Sequence, residues 1–238
     1  MRTAYTVFRN LYNVRKMTMK LVLASGSQRR RELLTMCGYD YEIIVSNADE
    51  TIDENDPESF VRALSFRKAK EVFDRLFAAG RRDFAVIGSD TVVAFQKDGE
   101  TKPVIIGKPK DAEDAVRILS MLSGKTHRVF TGVSVIADIT DENAAAQCSI
   151  RKKEEIQTEC SITEVTFETL SPDEITDYVN SGDPLDKAGS YGIQGPFGMF
   201  VREIRGNYFT VIGMPIPVLY KMLKKIGILP HGFYERIE

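Results

Sequence analysis

Three cysteines and two histidines are all that 238 residues offer to a disulfide framework or a soft metal. Cys37, Cys148 and Cys160 are odd in number and far apart, with only His127 and His231 to assist them, so zinc-ligand spacing is absent and reduced intracellular thiols are expected. Long apolar runs are also missing, since none approaches the ~18 residues of a membrane span. Charge of one sign is missing too: 32 Lys and Arg against 34 Asp and Glu leave −2 at neutral pH. That balance gives no global attraction to nucleic acid or to an anionic membrane, so any phosphate recognition has to be local. No internal repeat and no compositional linker divides the chain, and 43% hydrophobic residues are ample for a core, so residues 20–238 read as one unit with two lobes. Residues 1–19 stand apart as a basic extension: Arg2, Arg9, Arg15 and Lys16 occur there without an acid, a composition shared by organelle transit peptides. Met17 and Met19 are alternative start sites that would make the extension incidental. A cytoplasmic location is expected, with organelle targeting by residues 1–19 as the alternative.

The chain has a strong phosphate-like signal in Leu21-Val-Leu-Ala-Ser-Gly-Ser-Gln-Arg-Arg-Arg-Glu-Leu-Leu34, a strand pattern that passes through small residues into a helix opening with three arginines. Helix N-terminal N–H groups and guanidinium forks suit a polyanion. The plainer reading is that Ser27 caps a helix whose arginines are solvated. The helix is expected to stop at Gly38, and Tyr41–Val45 reads as a second strand that delivers the acidic pair Asp49-Glu50. Asp56-Pro57-Glu58 opens a helix to about Ala79, in which Lys68 falls between the apolar Leu64 and Val72 at spacing four. Such a lysine either snorkels or points into a site. Phe84–Phe95 is a buried-strand run interrupted by Asp90, and a buried carboxylate needs compensation, so Asp90 is a functional candidate unless Ser89-Asp90 is an exposed turn. Gly107-Lys108-Pro109 presents a lysine ahead of a helix capped by Asp111 and ending near Ser123-Gly124. Val129–Ala137 and Ser161–Phe167 alternate as paired strands do, with residues 138–159 between them as a polar excursion. Ser171-Pro-Asp-Glu174 is a capping box opening a helix to about Asn180. A glycine-dense loop follows, Asp186 to Gly195, with Lys187 and Gln194 as its polar reach.

These segments together resemble the Maf family of nucleoside triphosphate pyrophosphatases. The likeness runs from about Lys20 to Leu223 and rests on Ala24-Ser-Gly-Ser-Gln-Arg-Arg30, Arg67-Lys-Ala69, Gly88-Ser-Asp-Thr91, Gly107-Lys-Pro109, Ser123-Gly-Lys-Thr-His127 with Thr131-Gly132, Asp186 to Gly195, and Val211-Ile-Gly-Met-Pro215. The resemblance implies a mixed-sheet α/β fold with two lobes about a central cleft, akin to inosine triphosphate pyrophosphatases. It also implies hydrolysis of a nucleoside triphosphate to the monophosphate and pyrophosphate with a divalent metal cation, Mg²⁺ or Mn²⁺. On that basis Asp90 is the catalytic carboxylate and a metal contact, with Glu50 added as a second metal contact. Ser25, Arg30, Lys68 and Lys108 match phosphate-site positions. Arg29, Thr91 and Gln194 resemble the dTTP/UTP branch and are expected to select the base, Gln194 offering both a donor and an acceptor. Gln28 departs from the family, which usually has proline there. The expected partner is the triphosphate, with neither nucleic acid nor membrane, and a homodimer is left open. A house-cleaning pyrophosphatase for modified nucleotides, or a nucleotide-binding division regulator that does not hydrolyse, are the competing readings.

Overall fold

The computed structural model describes residues 19–96, 99–100, 102–140 and 152–231. The expected extension at 1–19 lies outside them except for Met19. A seven-stranded mixed sheet forms the centre, in the order β2-β1-β3-β5-β6-β7 with β4 also on β3. Its strands are β1 Lys20–Leu23, β2 Tyr41–Ile43, β3 Phe84–Phe95, β4 Val104–Ile106, β5 Thr126–Thr140, β6 Lys152–Phe167 and β7 Val201–Arg205. The helices are α1 Gln28–Met36, α2 Pro57–Ala78, α3 Ala112–Leu122, α4 Pro172–Asn180, α5 Tyr208–Ile212 and α6 Ile216–Lys225. Local signals set most of these boundaries. Asp56 accepts from Ser59 N at 2.9 Å and Asp111 from Asp114 N at 2.8 Å, while Ser171 and Glu174 close a complete capping box.

The turn allowed for at Ser89-Asp90 does not form: β3 is one unbroken strand of twelve residues. It threads both halves of the core. Ala85 and Ile87 join one cluster with Leu33, Leu34, Leu219 and Leu223, and Val86 joins a second with Ala69, Val72 and Phe73. Further along, Val93 and Phe95 pack with Ile118, Leu122 and Phe167, and Val92 and Ala94 with Val61 and Phe130. Gly88-Ser89-Asp90-Thr91 lie between these two pairs of clusters, so a polar waist separates two apolar lobes. At that waist α2 rests on the sheet backbone itself. A Cβ on Gly132 would sit 2.2 Å from Val61 O, and one on Gly88 2.1 Å from Ser65 O.

Strand pairing also opens a cleft. On one edge of β3, β1 pairs in parallel with residues 84–87, and β4 pairs antiparallel with residues 93–95. Among the described residues no strand covers that edge at 88–92. The carboxyl ends of β1 and β4 both face the gap, the place where open α/β sheets bind ligands.

Half of the excursion at 138–159 proves to be sheet. The β5–β6 ladder runs out to Thr140 opposite Lys152, and 141–151 lie outside the described residues. Its polar alternation concealed it, because a period of two is conspicuous only when one face is apolar.

His127 on β5 is buried, 3.0 Å from Tyr191 Oη, edge-on to Phe167, and its Nδ1 has no partner among the described residues. Burial pushes its pKa down to about 3. The unfolded chain takes up that proton near pH 6.5 and the folded chain refuses it, so this contribution is complete above pH 6.5. Below that it is lost at about 1.4 kcal/mol per unit until about pH 3. Urea unfolding at pH 7.5 and pH 5.0 tests this. His127→Gln, which keeps an amide for Tyr191 but does not titrate, should lose about 2 kcal/mol less than the parent over that interval. Parallel losses in the two proteins would contradict it.

Candidate active site

The residues that end β1 build one wall of the gap. Ser27 occupies the N-cap position of α1 without a side-chain cap bond, and Ser25 Oγ instead accepts from Ser27 N at 3.2 Å. Gln28 is the first residue of the helix, a position that proline also fits, and its amide donates to Glu32 at 2.8 Å. Of the three arginines, Arg30 turns inward. Its Nε donates to Gly213 O at 2.9 Å, Nη1 to Ser25 Oγ at 3.1 Å and Nη2 to Thr91 Oγ1 at 3.3 Å. All three partners are neutral, so the guanidinium charge is not spent on a carboxylate. Loss of hydration lowers the Arg30 pKa, with the Asp90 charge opposing that shift.

Asp90 sits mid-strand at 8% exposure, on the face covered by α2. Lys68 does not snorkel: its Nζ lies 2.7 Å from Asp90 Oδ1 and 3.0 Å from Glu50 Oε1, with the side chain 12% exposed. Glu50 is presented by a turn that the neighbouring residue on α2 grips, since Arg67 Nη1 donates to the carbonyls of Asp49 and Thr51, each at 2.8 Å. Thr91, one residue on, faces the opposite side of the sheet, where its hydroxyl is 3.1 Å from Thr131 Oγ1. Ser89 on that side donates to Gly132 O and Gly213 O, which fixes the carbonyl that holds Arg30. Lys68 and Arg30 therefore reach the same strand edge from opposite faces of the sheet.

The structure thus brings together Ser25, Arg30, Glu50, Lys68, Asp90 and Thr91. Three other expected residues make no bond to this group among the described residues. Lys108 is exposed beyond β4, its loop tied to the glycine-rich segment by Gly189 N donating to Gly107 O at 3.0 Å. Gln194 is exposed on that segment. Arg29 pairs with Asp186 at 3.3 Å. Lys187 is a correction: it does not extend from its loop but folds back onto Asp183 and Asp186. Sequence reasoning gave no role to Arg67, Ser89 or the Gly213 carbonyl, because a backbone acceptor 183 residues from Arg30 leaves no local signature.

Asp90 and Glu50 offer hard oxygen donors, which suit Mg²⁺ or Mn²⁺. Among the described residues no group of three or more His, Cys, Asp or Glu converges, so such a cation would draw its remaining ligands from water and phosphate oxygens. No helix among those residues is long and apolar enough to cross a membrane.

Comparison with known proteins agrees with the resemblance. Relatives include the dTTP/UTP pyrophosphatase of Agathobacter rectalis, 40% identical over 88% of this chain and 98% of that protein. The dTTP/UTP pyrophosphatase of Bacillus thuringiensis subsp. konkukian is 42% identical over 88% of this chain and 96% of its own length. Among solved structures, the Staphylococcus aureus Ham1 protein aligns with a TM-score of 0.46 and 15% identity, covering 87% of this chain and 99% of that one. Residues 20–226 match the family described as Maf-like protein, and with these relatives along most of its length the chain belongs to that family.

Proposed function

We propose that the chain hydrolyses nucleoside triphosphates, dTTP and UTP foremost, to the monophosphate and pyrophosphate. The observation that carries this is the Asp90 carboxylate, held mid-strand where β1 and β4 part and contacted by Lys68 at 2.7 Å. The names of the relatives support the substrate class. The working unit is residues 20–238, two lobes about the cleft, with 1–19 as an extension.

Asp90 Oδ1 carries the Lys68 contact, which leaves Oδ2 to orient a water toward the α-phosphorus and take its proton. Lys68 and Arg30, anchored before substrate arrives, oppose the charge that develops on the leaving pyrophosphate. Ser25 and Lys108 complete the phosphate contacts from the ends of β1 and β4. Asp90 and Glu50 are the residues that would hold a divalent cation, whose chemistry when bound would be to neutralise phosphate charge and acidify water. Arg29, Thr91 and Gln194 select the base.

One assay tests the whole reading: pyrophosphate release from dTTP, UTP, ATP and GTP after EDTA treatment, with Mg²⁺, Mn²⁺ or Ca²⁺ restored singly. The pyrimidines should lead in kcat/KM by more than the ~10 to 200-fold that an apolar size filter supplies, because a purine would leave polar groups of the pocket unpaired. Gln194→Glu, which loses two donors and gains a charge, should cut that preference. Mg²⁺ and Mn²⁺ should outperform Ca²⁺, whose looser coordination positions water poorly. Equal rates on all four nucleotides would favour the house-cleaning activity, and full activity in EDTA would remove the cation from the reaction.

A further inference from the structure

Three residues given a substrate role above, Arg29, Lys108 and Gln194, come from distant parts of the chain, yet one short turn is connected to all of them. Lys187 Nζ donates to Asp183 O at 2.6 Å, Asp183 Oδ1 at 2.9 Å and Asp186 Oδ1 at 2.7 Å. The other Asp186 oxygen accepts from Arg29 Nη1 at 3.3 Å, which ties the turn to α1. The other Asp183 oxygen accepts from Tyr178 Oη at 2.5 Å, and that hydroxyl in turn accepts from Gly192 N at 3.0 Å, two residues before Gln194. Gly189 N reaches the carbonyl beside Lys108, and Ser190 N donates to Lys187 O at 3.1 Å. Ser190 is held at φ 61° with its buried hydroxyl unpartnered among the described residues. A non-glycine residue keeps such a conformation only where its surroundings over-determine it. Without the ammonium, Asp183 and Asp186 would face each other as like charges, and only backbone bonds such as Lys187 N to Pro184 O at 3.2 Å would close the turn itself.

Resting on the hydrolase reading above, we propose that Lys187 is a positioning residue that clamps the 183–195 segment against α1 and the Lys108 loop and so aligns the base-selecting side chains. It does not touch the reacting atoms. Its loss therefore acts on binding, and the signature of lost uniform binding is a raised KM with kcat preserved.

The test is Lys187→Met, which keeps the stem and deletes the charge, beside Lys187→Arg, which restores a cation. Kinetics on UTP and ATP are paired with hydrogen exchange of the amides at 189–195. Lys187→Met should raise KM for UTP about tenfold or more with kcat within about threefold, and should shrink the UTP preference over ATP. The amides should exchange faster, and Lys187→Arg should recover most of both effects. Asp186→Asn, which leaves Lys187 its Asp183 partner, serves if Lys187→Met does not fold, and should weaken the same preference. Unchanged KM, or faster exchange with unchanged kinetics, would overturn the proposal, as would a loss confined to kcat. If the parent hydrolyses no triphosphate, the hydrolase reading fails and the clamp is judged on exchange alone: unchanged exchange in Lys187→Met overturns it as well.

Discussion

Asp90→Asn should lower pyrophosphate release from UTP by at least about 10²-fold, the lower end of what a general base contributes. The amide has the size of the carboxylate, and its oxygen still accepts from Lys68 Nζ, so α2 keeps its seat and the strand is unchanged. What disappears is the charge that would take a proton from water and share a cation with Glu50. The fold is checked by near-UV circular dichroism and thermal melting, and turnover by pyrophosphate release under saturating UTP. A folded variant with near-parental turnover would take Asp90 out of the reaction and leave the cleft as a binding site. That outcome would revive the regulator reading.

How far the sequence anticipated this site depended on the kind of signal each part leaves. Asp90 was legible because apolar residues on both sides make a lone carboxylate conspicuous, and the unbroken β3 carries it as that pattern implies. The start of α2 was legible because Asp56, Pro57 and Glu58 act on their own turn. Lys68 was ambiguous, since its spacing fits a snorkelling stem as well as a site, and only the fold brings Glu50 and Asp90 to it. The outer β5–β6 ladder was hidden because its alternation is polar on both faces. The fork that holds Arg30 was hidden for another reason. Apart from the nearby Ser25 hydroxyl, its acceptors are a hydroxyl on β3 and the carbonyl of Gly213, and hydrogen bonds to distant backbone impose no residue pattern on sequence. Gly88 and Gly132 were visible as glycines within matching motifs, but what needs their missing side chains became apparent only with α2 in place.

Gly132→Ala should, with Gly88→Ala, be among the most disruptive single-methyl changes in the sheet, and it separates the position of Lys68 from its charge. Residue 132 pairs with Asp90 in the β3–β5 ladder, and an added Cβ would lie 2.2 Å from Val61 O and 2.5 Å from its carbonyl carbon. Carbons at rest stay ~3.5 to 4.0 Å apart. The colliding atoms are helix backbone, so no rotamer change relieves them, and α2 has to lift from the sheet by on the order of 1 Å. Overpacking of this kind costs about 1–3 kcal/mol or more. Because Lys68 rides on the same helix, its ammonium withdraws from Asp90 as the helix rises, and a displacement near 1 Å can cost about 10²-fold in rate. Lys68→Met is the comparison: it removes the cation while α2 stays seated, and it should impair turnover without the amide-exchange change along α2 that Gly132→Ala produces. Measured together, urea unfolding, exchange at 61–69 and pyrophosphate release should show Gly132→Ala losing stability, helix protection and turnover at once. A Gly132→Ala protein with parental stability and turnover would mean that α2 does not rest on the β5 backbone, and the close approach that brings Lys68 to Asp90 would have to be abandoned.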